Sequence, residues 1–180
     1  MTKWTDEVDD GTPVDSPESR FRGRERDEEW MRIALEEAVR AEALGEVPVG
    51  AVIVRDGQEV ARGHNLTHTV NDPSAHAEMV AIRRAAEVTG HWRLLGCTLY
   101  VTLEPCTMCS GAIVLARIPT LVFGAADPKA GMCGSLENLV QYPRLNHRVE
   151  MVTGVLAEEC GAVLRDFFRA RRALGKREAP

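Results

Sequence analysis

Two short segments about thirty residues apart, His76-Ala77-Glu78 and Pro105-Cys106-Thr107-Met108-Cys109, carry the residue types that hold a zinc ion and move a proton beside it. His76, as a neutral imidazole, and Cys106 and Cys109, as thiolates, make three zinc ligands, and the two thiolates offset the charge of the metal. A structural zinc site closes itself with four protein ligands, whereas a hydrolytic one keeps the fourth position for water. A count of three therefore favours chemistry over scaffolding. Zinc lowers the pKa of a bound water from about 15.7 towards roughly 7. Glu78, two residues from His76, is close enough to take that water's proton and pass it to a substrate nitrogen, so it reads as a proton shuttle and not as a ligand. The competing reading makes His76 a helix cap, Glu78 a solvated first-turn acid, and the cysteines buried groups or ligands of a structural zinc.

These residues need elements to converge them. From Asp27 the pattern is helical, with Trp30, Ala34, Ala38 and Ala41 on one face, Asp27 placed to cap and Gly45 to stop it. Residues 49–54 form a nearly continuous apolar run. Asp56-Gly57 is a two-residue hairpin turn, and a second strand follows over 59–63 as its antiparallel neighbour. After a loop ending Asp72-Pro73-Ser74, residues 75–88 read as a helix with His76 and Glu78 in its first turn. A strand over 99–103 leads directly into the cysteine pair. Residues 107–117 look helical, which places both cysteines at a helix N-terminus, where the positive dipole end favours thiolate. Two helix starts would then meet one metal beyond the ends of adjacent strands. Further strands at 121–125 and 149–153 and a last helix over 157–174 complete an α/β chain with three layers, helices on both sides of one sheet.

Composition sets the outer bounds. A chain of 180 residues, 44% hydrophobic and 27% charged, suits one domain with a real core. No apolar run approaches the roughly twenty residues needed to cross a bilayer, and the start lacks the pattern of a secretory signal, so a cytoplasmic protein is expected. Five cysteines in a reducing compartment serve metals or cores, and Cys97, Cys133 and Cys160 are read as small buried hydrophobes. Residues 1–26 have the composition of a disordered acidic tail, residues 27–175 that of the folded domain, and 176–180 that of a flexible end. Ten acids and five bases fall in residues 1–29, so this stretch carries the whole net charge of −5. Residues 165–180 hold six bases (Arg165, Arg169, Arg171, Arg172, Lys176, Arg177) against Asp166 and Glu178, a basic patch or a solvated face.

The pattern His-x-Glu followed by Pro-Cys-x-x-Cys is the signature of the zinc nucleobase deaminases. The chain resembles the cytidine deaminase superfamily over about residues 30–172, and more narrowly the bacterial tRNA adenosine deaminases. The likeness rests on Glu46-Val47-Pro48-Val49-Gly50-Ala51, on Asp72-Pro73-Ser74-Ala75-His76-Ala77-Glu78, and on residues 100–109. It is sharpened by Phe123-Gly124-Ala125 with Asp127, Lys129 and Gly131, by Asn146-His147-Arg148-Val149, and by Asp166-Phe167-Phe168-Arg169 leading to Arg171-Arg172.

The resemblance implies a three-layer cytidine deaminase-like fold with a mixed central sheet, one zinc ion per subunit, and a homodimer whose subunits both help form the RNA surface. It implies hydrolysis of the wobble adenosine (position 34) of a tRNA anticodon stem-loop to inosine, with Glu78 moving a proton from water to N1 and Glu78 then protonating the departing ammonia. An anticodon loop already splays its bases, which lowers the cost of extruding one. Asn65 corresponds to the family residue that hydrogen-bonds the target base; as a bare residue it is also a good turn former. Ala77 and Cys106 would contribute backbone groups that position base and water. Asp127 and Lys129 would border the tRNA groove, and Arg169 belongs to the terminal helix used against the anticodon loop; all three also read as surface charges or local ion pairs. Ala126 departs from relatives that carry a polar residue there. Glu104 reads as a structural hydrogen-bond partner. Ile113, Val114 and Ile118 suit an interface or the core equally. Two alternatives stay open: a free-base deaminase, notably of guanine, and an inactive zinc-stabilised RNA-binding module, against which the retention of Glu78 argues.

Overall fold

The computed structural model describes residues 17–175. Along the chain lie α1 (Pro17–Ala43), β1 (Gly50–Arg55), β2 (Gln58–His64), α2 (Ala77–Thr89), β3 (Cys97–Leu103), α3 (Thr107–Leu115), β4 (Thr120–Ala125), β5 (Glu150–Thr153) and α4 (Ala157–Gly175). The strands form one mixed sheet in the order β2-β1-β3-β4-β5. β1 runs antiparallel to β2 and to β3. β4 is parallel to β3, and β5 to β4.

Alternation along the strands builds two cores, because successive side chains leave a strand on opposite faces. Ala51 and Ile53 of β1, Leu99 and Val101 of β3 and Leu121 and Phe123 of β4 pack with Ala81 and Ala85 of α2 and Ile113 of α3. Val52 and Val54, Tyr100 and Val122 face the other way, onto Met31 and Ala34 of α1 and Cys160 of α4. The result is the expected α/β/α sandwich. Ile113, Val114 and Ile118 all belong to the first of these cores, which decides their role within the single chain. Cys97, Cys133 and Cys160 are buried and free, as read from composition. The hairpin between β1 and β2 turns through Asp56 (φ 53) and Gly57 (φ 70), the two positive-φ positions that an Asp-Gly turn supplies.

Helix α1 corrects one expectation. It begins at Pro17, ten residues before Asp27. Asp27 is not a cap but a residue of the helix body, and its Oδ1 accepts the Tyr100 hydroxyl at 2.9 Å. The early turns carry charged residues, such as Arg24 facing Glu28 at 3.7 Å one turn on, in place of an apolar stripe; such i,i+4 pairs support a helix without the period that reveals one. Of the expected acidic tail, residues 1–16 lie outside the described residues, as do the expected flexible residues 176–180.

The topology decides where the functional segments meet. Since β1 opposes both β2 and β3, its beginning lies beside their ends: Gly50 pairs with His64 and Ala51 with Val101. Parallel β4 brings Ala125 beside Leu103. The segment before β1, the loop after β2, the β3–α3 junction and the loop after β4 therefore gather at one edge of the sheet. Helix α2 is pressed onto this edge by Gly63, where a Cβ would stand 2.5 Å from the Ala77 carbonyl and 2.6 Å from the Ala81 nitrogen. Among the described residues no helix is long and apolar enough to cross a membrane.

Candidate active site

His76 occupies the N-cap position of α2 with extended backbone (φ −73, ψ 156), yet its side chain makes no capping hydrogen bond. Its place is fixed from behind. Asp72 Oδ1 accepts both the N–H and the hydroxyl of Ser74 at 2.7 Å, and the His76 N–H then reaches the Ser74 carbonyl at 2.8 Å. The imidazole is thus free to turn towards α3, where Nδ1 lies 3.7 Å from Cys106 Sγ and 3.6 Å from Cys109 Sγ. Cys106 is in turn the N-cap of α3, also without a capping side-chain bond. The three donor atoms lie within 4.8 Å of one another. Helix capping therefore accounts for neither ligand's side chain.

The cluster is electrostatically poised to take a cation. Contact with the Cys109 thiol, followed by that with His76, holds the Cys106 sulfur down to about 3 against the opposing effect of burial. The same contact, together with burial, pushes Cys109 well above the thiol range. His76 is drawn upward, first by Cys106 and despite its own burial. A charge shared between two sulfurs beside an imidazole is a donor set of the borderline-soft kind that suits zinc, and a bound cation displaces the remaining protons. These residues could hold a metal.

Glu78 is buried, with 4% of its surface exposed, which rules out the solvated first-turn acid. Burial pushes its carboxyl above the usual carboxylate range, opposed by its own backbone N–H, by His76 and by a contact with Cys109. A carboxyl so placed accepts a proton more readily than an exposed one. It lines a cleft of about 310 Å³ together with Val47, Asn65, His76, Leu103, Cys106 and Asp127.

Asn65 clamps the segment before β1 to the first turn of α2. Its Oδ1 accepts the Ala77 N–H at 2.9 Å, and its Nδ2 donates to the Val47 carbonyl at 3.0 Å. The N–H of Ala77 is therefore committed to Asn65, and the second N–H of the amide has no partner among the described residues. Asp127 closes its own loop by accepting the N–H groups of Lys129 at 2.9 Å and Ala130 at 3.3 Å. Glu104 anchors that loop from below: its carboxylate accepts N–H groups from Asp127 and Cys133, both at 2.9 Å, and from Ser135 at 3.0 Å, with the Ser135 hydroxyl as well. Burial alone would raise its carboxyl, but these donors bring it below the ordinary range. Glu104 is thus the structural partner expected.

A second groove of about 990 Å³ adjoins the cleft and shares Val47, Leu103 and Asp127 with it. Lys129, Arg165, Phe168, Arg169 and Arg172 line it. Lys129 and Arg169 therefore belong to this groove and not to the cleft that holds His76 and Glu78. Arg169 pairs with Asp166 at 2.6 Å and Arg165 with Glu158, whereas Lys129 and Arg172 have no carboxylate partner among the described residues. The sequence reading assigned no role to Glu46, Val47, Leu103 or Phe168 individually. All four sit in segments that carry the family resemblance, but nothing within those segments marks which side chains face a cleft.

Comparison with known proteins agrees with this arrangement. The family described as MafB19-like deaminase matches residues 25–172. The tRNA-specific adenosine deaminase of Bacillus subtilis is 55% identical over 147 residues, which span 82% of this chain and 91% of that protein. That of Haemophilus influenzae is 53% identical over 149 residues, 82% of this chain and 86% of the relative. A solved structure from work on A-to-I editing by tRNA:A34 deaminases at the wobble position superposes with a TM-score of 0.73 at 46% identity, covering 76% of this chain and 99% of the other. The chain belongs to the MafB19-like deaminase family and, within it, to the family of the tRNA-specific adenosine deaminases.

Proposed function

We propose that this protein deaminates the wobble adenosine, position 34, of a tRNA anticodon loop, with water as co-substrate and inosine and ammonia as products. The observation that carries the reading is the three-donor cluster of His76, Cys106 and Cys109 with a buried carboxyl, Glu78, beside it on one cleft. An imidazole and two sulfurs, one already a thiolate, fit a zinc ion and leave a coordination position open. Once held by these residues, zinc supplies acidification of water at neutral pH. Glu78 takes one proton as the water oxygen adds to C6 and delivers it to N1 of the ring; it then takes the proton of the new C6 hydroxyl and passes it to the departing amine, so that ammonia leaves as the C6 carbonyl forms. Asn65 offers its unpartnered N–H to an acceptor of the purine. Cys106 and Ala77 hold the two helix starts between which the base must enter.

The adjoining groove gives the RNA strand a path. Lys129 and Arg172 supply uncommitted charge for phosphates, Phe168 an exposed ring for stacking, and Asp127 and Arg169 the polar border. We read the acting species as a homodimer in the cytoplasm. Five free cysteines suit a reducing compartment, and with Ile113, Val114 and Ile118 in the core, the contact between subunits must use other residues.

Inosine formation by zinc-loaded protein on an anticodon stem-loop with a wobble adenosine, beside free adenosine, guanine and cytidine, tests the reading. Inosine in the stem-loop, falling steeply with added salt, is expected. Turnover of a free base alone would overturn it.

A further inference from the structure

Among the described residues, Glu46 carries the one buried side-chain polar atom without a hydrogen-bond partner. The residue is 1% exposed. Oε1 accepts the Thr69 N–H at 2.6 Å, whereas Oε2 is buried without any hydrogen-bond partner among the described residues. Burial alone would raise this carboxyl, but the backbone donors of Thr69 and His68, with the Thr69 hydroxyl, bring it below the ordinary carboxylate range, so Oε2 belongs to a charged group. Glu46 lines the cleft that also holds Asn65, His76 and Glu78. A buried charged oxygen without a donor costs free energy, and at a binding site that cost is offset when a ligand brings the donor.

The chemistry of the substrate, taken from the proposed function, identifies that donor by elimination. Adenine presents acceptors at N1, N3 and N7, all of which a carboxylate repels, and its only N–H donor is the 6-amino group, which must face Glu78 and the metal ligands. Within an RNA strand the 3′ and 5′ oxygens of the nucleotide are esterified. On the target nucleotide itself, the one that enters this cleft, one other donor remains, the 2′-hydroxyl. We infer that Glu46 Oε2 accepts a hydrogen bond from the 2′-hydroxyl of the target nucleotide, making Glu46 the residue that selects ribose over deoxyribose at this position. Its other oxygen, on Thr69, holds the loop after β2 in place, so one carboxylate both shapes the rim of the cleft and reads the sugar. The 2′-hydroxyl is the group by which a site tells RNA from DNA.

The test compares kcat/KM for an all-ribose anticodon stem-loop with that for the same stem-loop bearing a single 2′-deoxyadenosine at the target, using wild type, Glu46→Ala and Glu46→Gln. Wild type is expected to favour ribose by roughly tenfold or more, the range of one hydrogen bond to a charged group. Glu46→Ala is expected to bring the ratio near one through loss on the ribose substrate. Glu46→Gln keeps an acceptor for Thr69 and lowers the ratio with the loop held. A purely structural role would slow both substrates alike, so a ratio that neither substitution changes, or a wild-type ratio near one, overturns the inference and leaves the proposed function standing. A wild type that makes no inosine in the ribose stem-loop overturns both.

Discussion

Asn65 holds the wall of the cleft together, and in the proposed function it also meets the substrate. Its two hydrogen bonds join the segment before β1 to the first turn of α2, at Val47 and Ala77. Ala77 is fully buried, so its N–H has no water to fall back on. Asn65→Ala is therefore expected to destabilise the fold by about 1–3 kcal/mol, the cost of a buried donor left unpaired, as well as to lower kcat/KM. Urea unfolding separates the two effects: an unchanged midpoint would mean that the amide serves substrate alone. The zinc-type cluster was legible in the sequence because ligand type and spacing are local properties: His-x-Glu and Cys-x-x-Cys each fit on one helix start. Glu46 was not. Whether an acid before Val-Pro faces water or a cleft depends on a sheet edge assembled from four distant segments, and nothing within the segment encodes it.

At the scale of elements, the central strands were readable because both faces of the sheet are buried there, which leaves short continuous apolar runs between turn residues. Helix α1 was readable only where its apolar face begins; its charged first turns follow a rule of pairing that composition takes for a tail. Gly63 carries a prediction at this scale. Its substitution by alanine would drive a Cβ onto the Ala77 carbonyl and the Ala81 nitrogen, and helix backbone has no rotamer with which to give way. Gly63→Ala is expected to cost about 1–3 kcal/mol, the range of overpacked cores, and to weaken zinc binding, since Ala77 lies between His76 and Glu78. Gly111→Ala in α3 is the control. Its Cβ would meet nothing within 4 Å, and alanine in a helix gains up to about 1 kcal/mol over glycine. Thermal unfolding and zinc titration of the two variants should move in opposite directions for stability, and only Gly63→Ala should lose metal.

The whole molecule is charged unevenly. Residues 1–16 hold five acids and one base, while the groove beside the cleft collects Lys129, Arg165, Arg169 and Arg172. An acidic segment competes with RNA phosphates for such a surface, and the competition is screened by salt. Removing residues 1–16, which leaves α1 whole, is expected to tighten stem-loop binding several-fold at low salt, with the difference vanishing as salt is raised past the screening range. Equal affinities at low salt would show that the acidic segment does not reach the groove.

The proposed function makes Glu78 the proton carrier beside a bound metal, and stem-loop turnover by Glu78→Gln, with zinc content determined on the same sample, tests that role most directly. Glutamine keeps the volume of the buried side chain and removes the transferable proton. The expected result is one zinc per chain, as in wild type, with inosine formation reduced by about a hundredfold to ten-thousandfold, the range associated with general acid–base catalysis. Turnover close to that of wild type at full zinc occupancy would contradict the account.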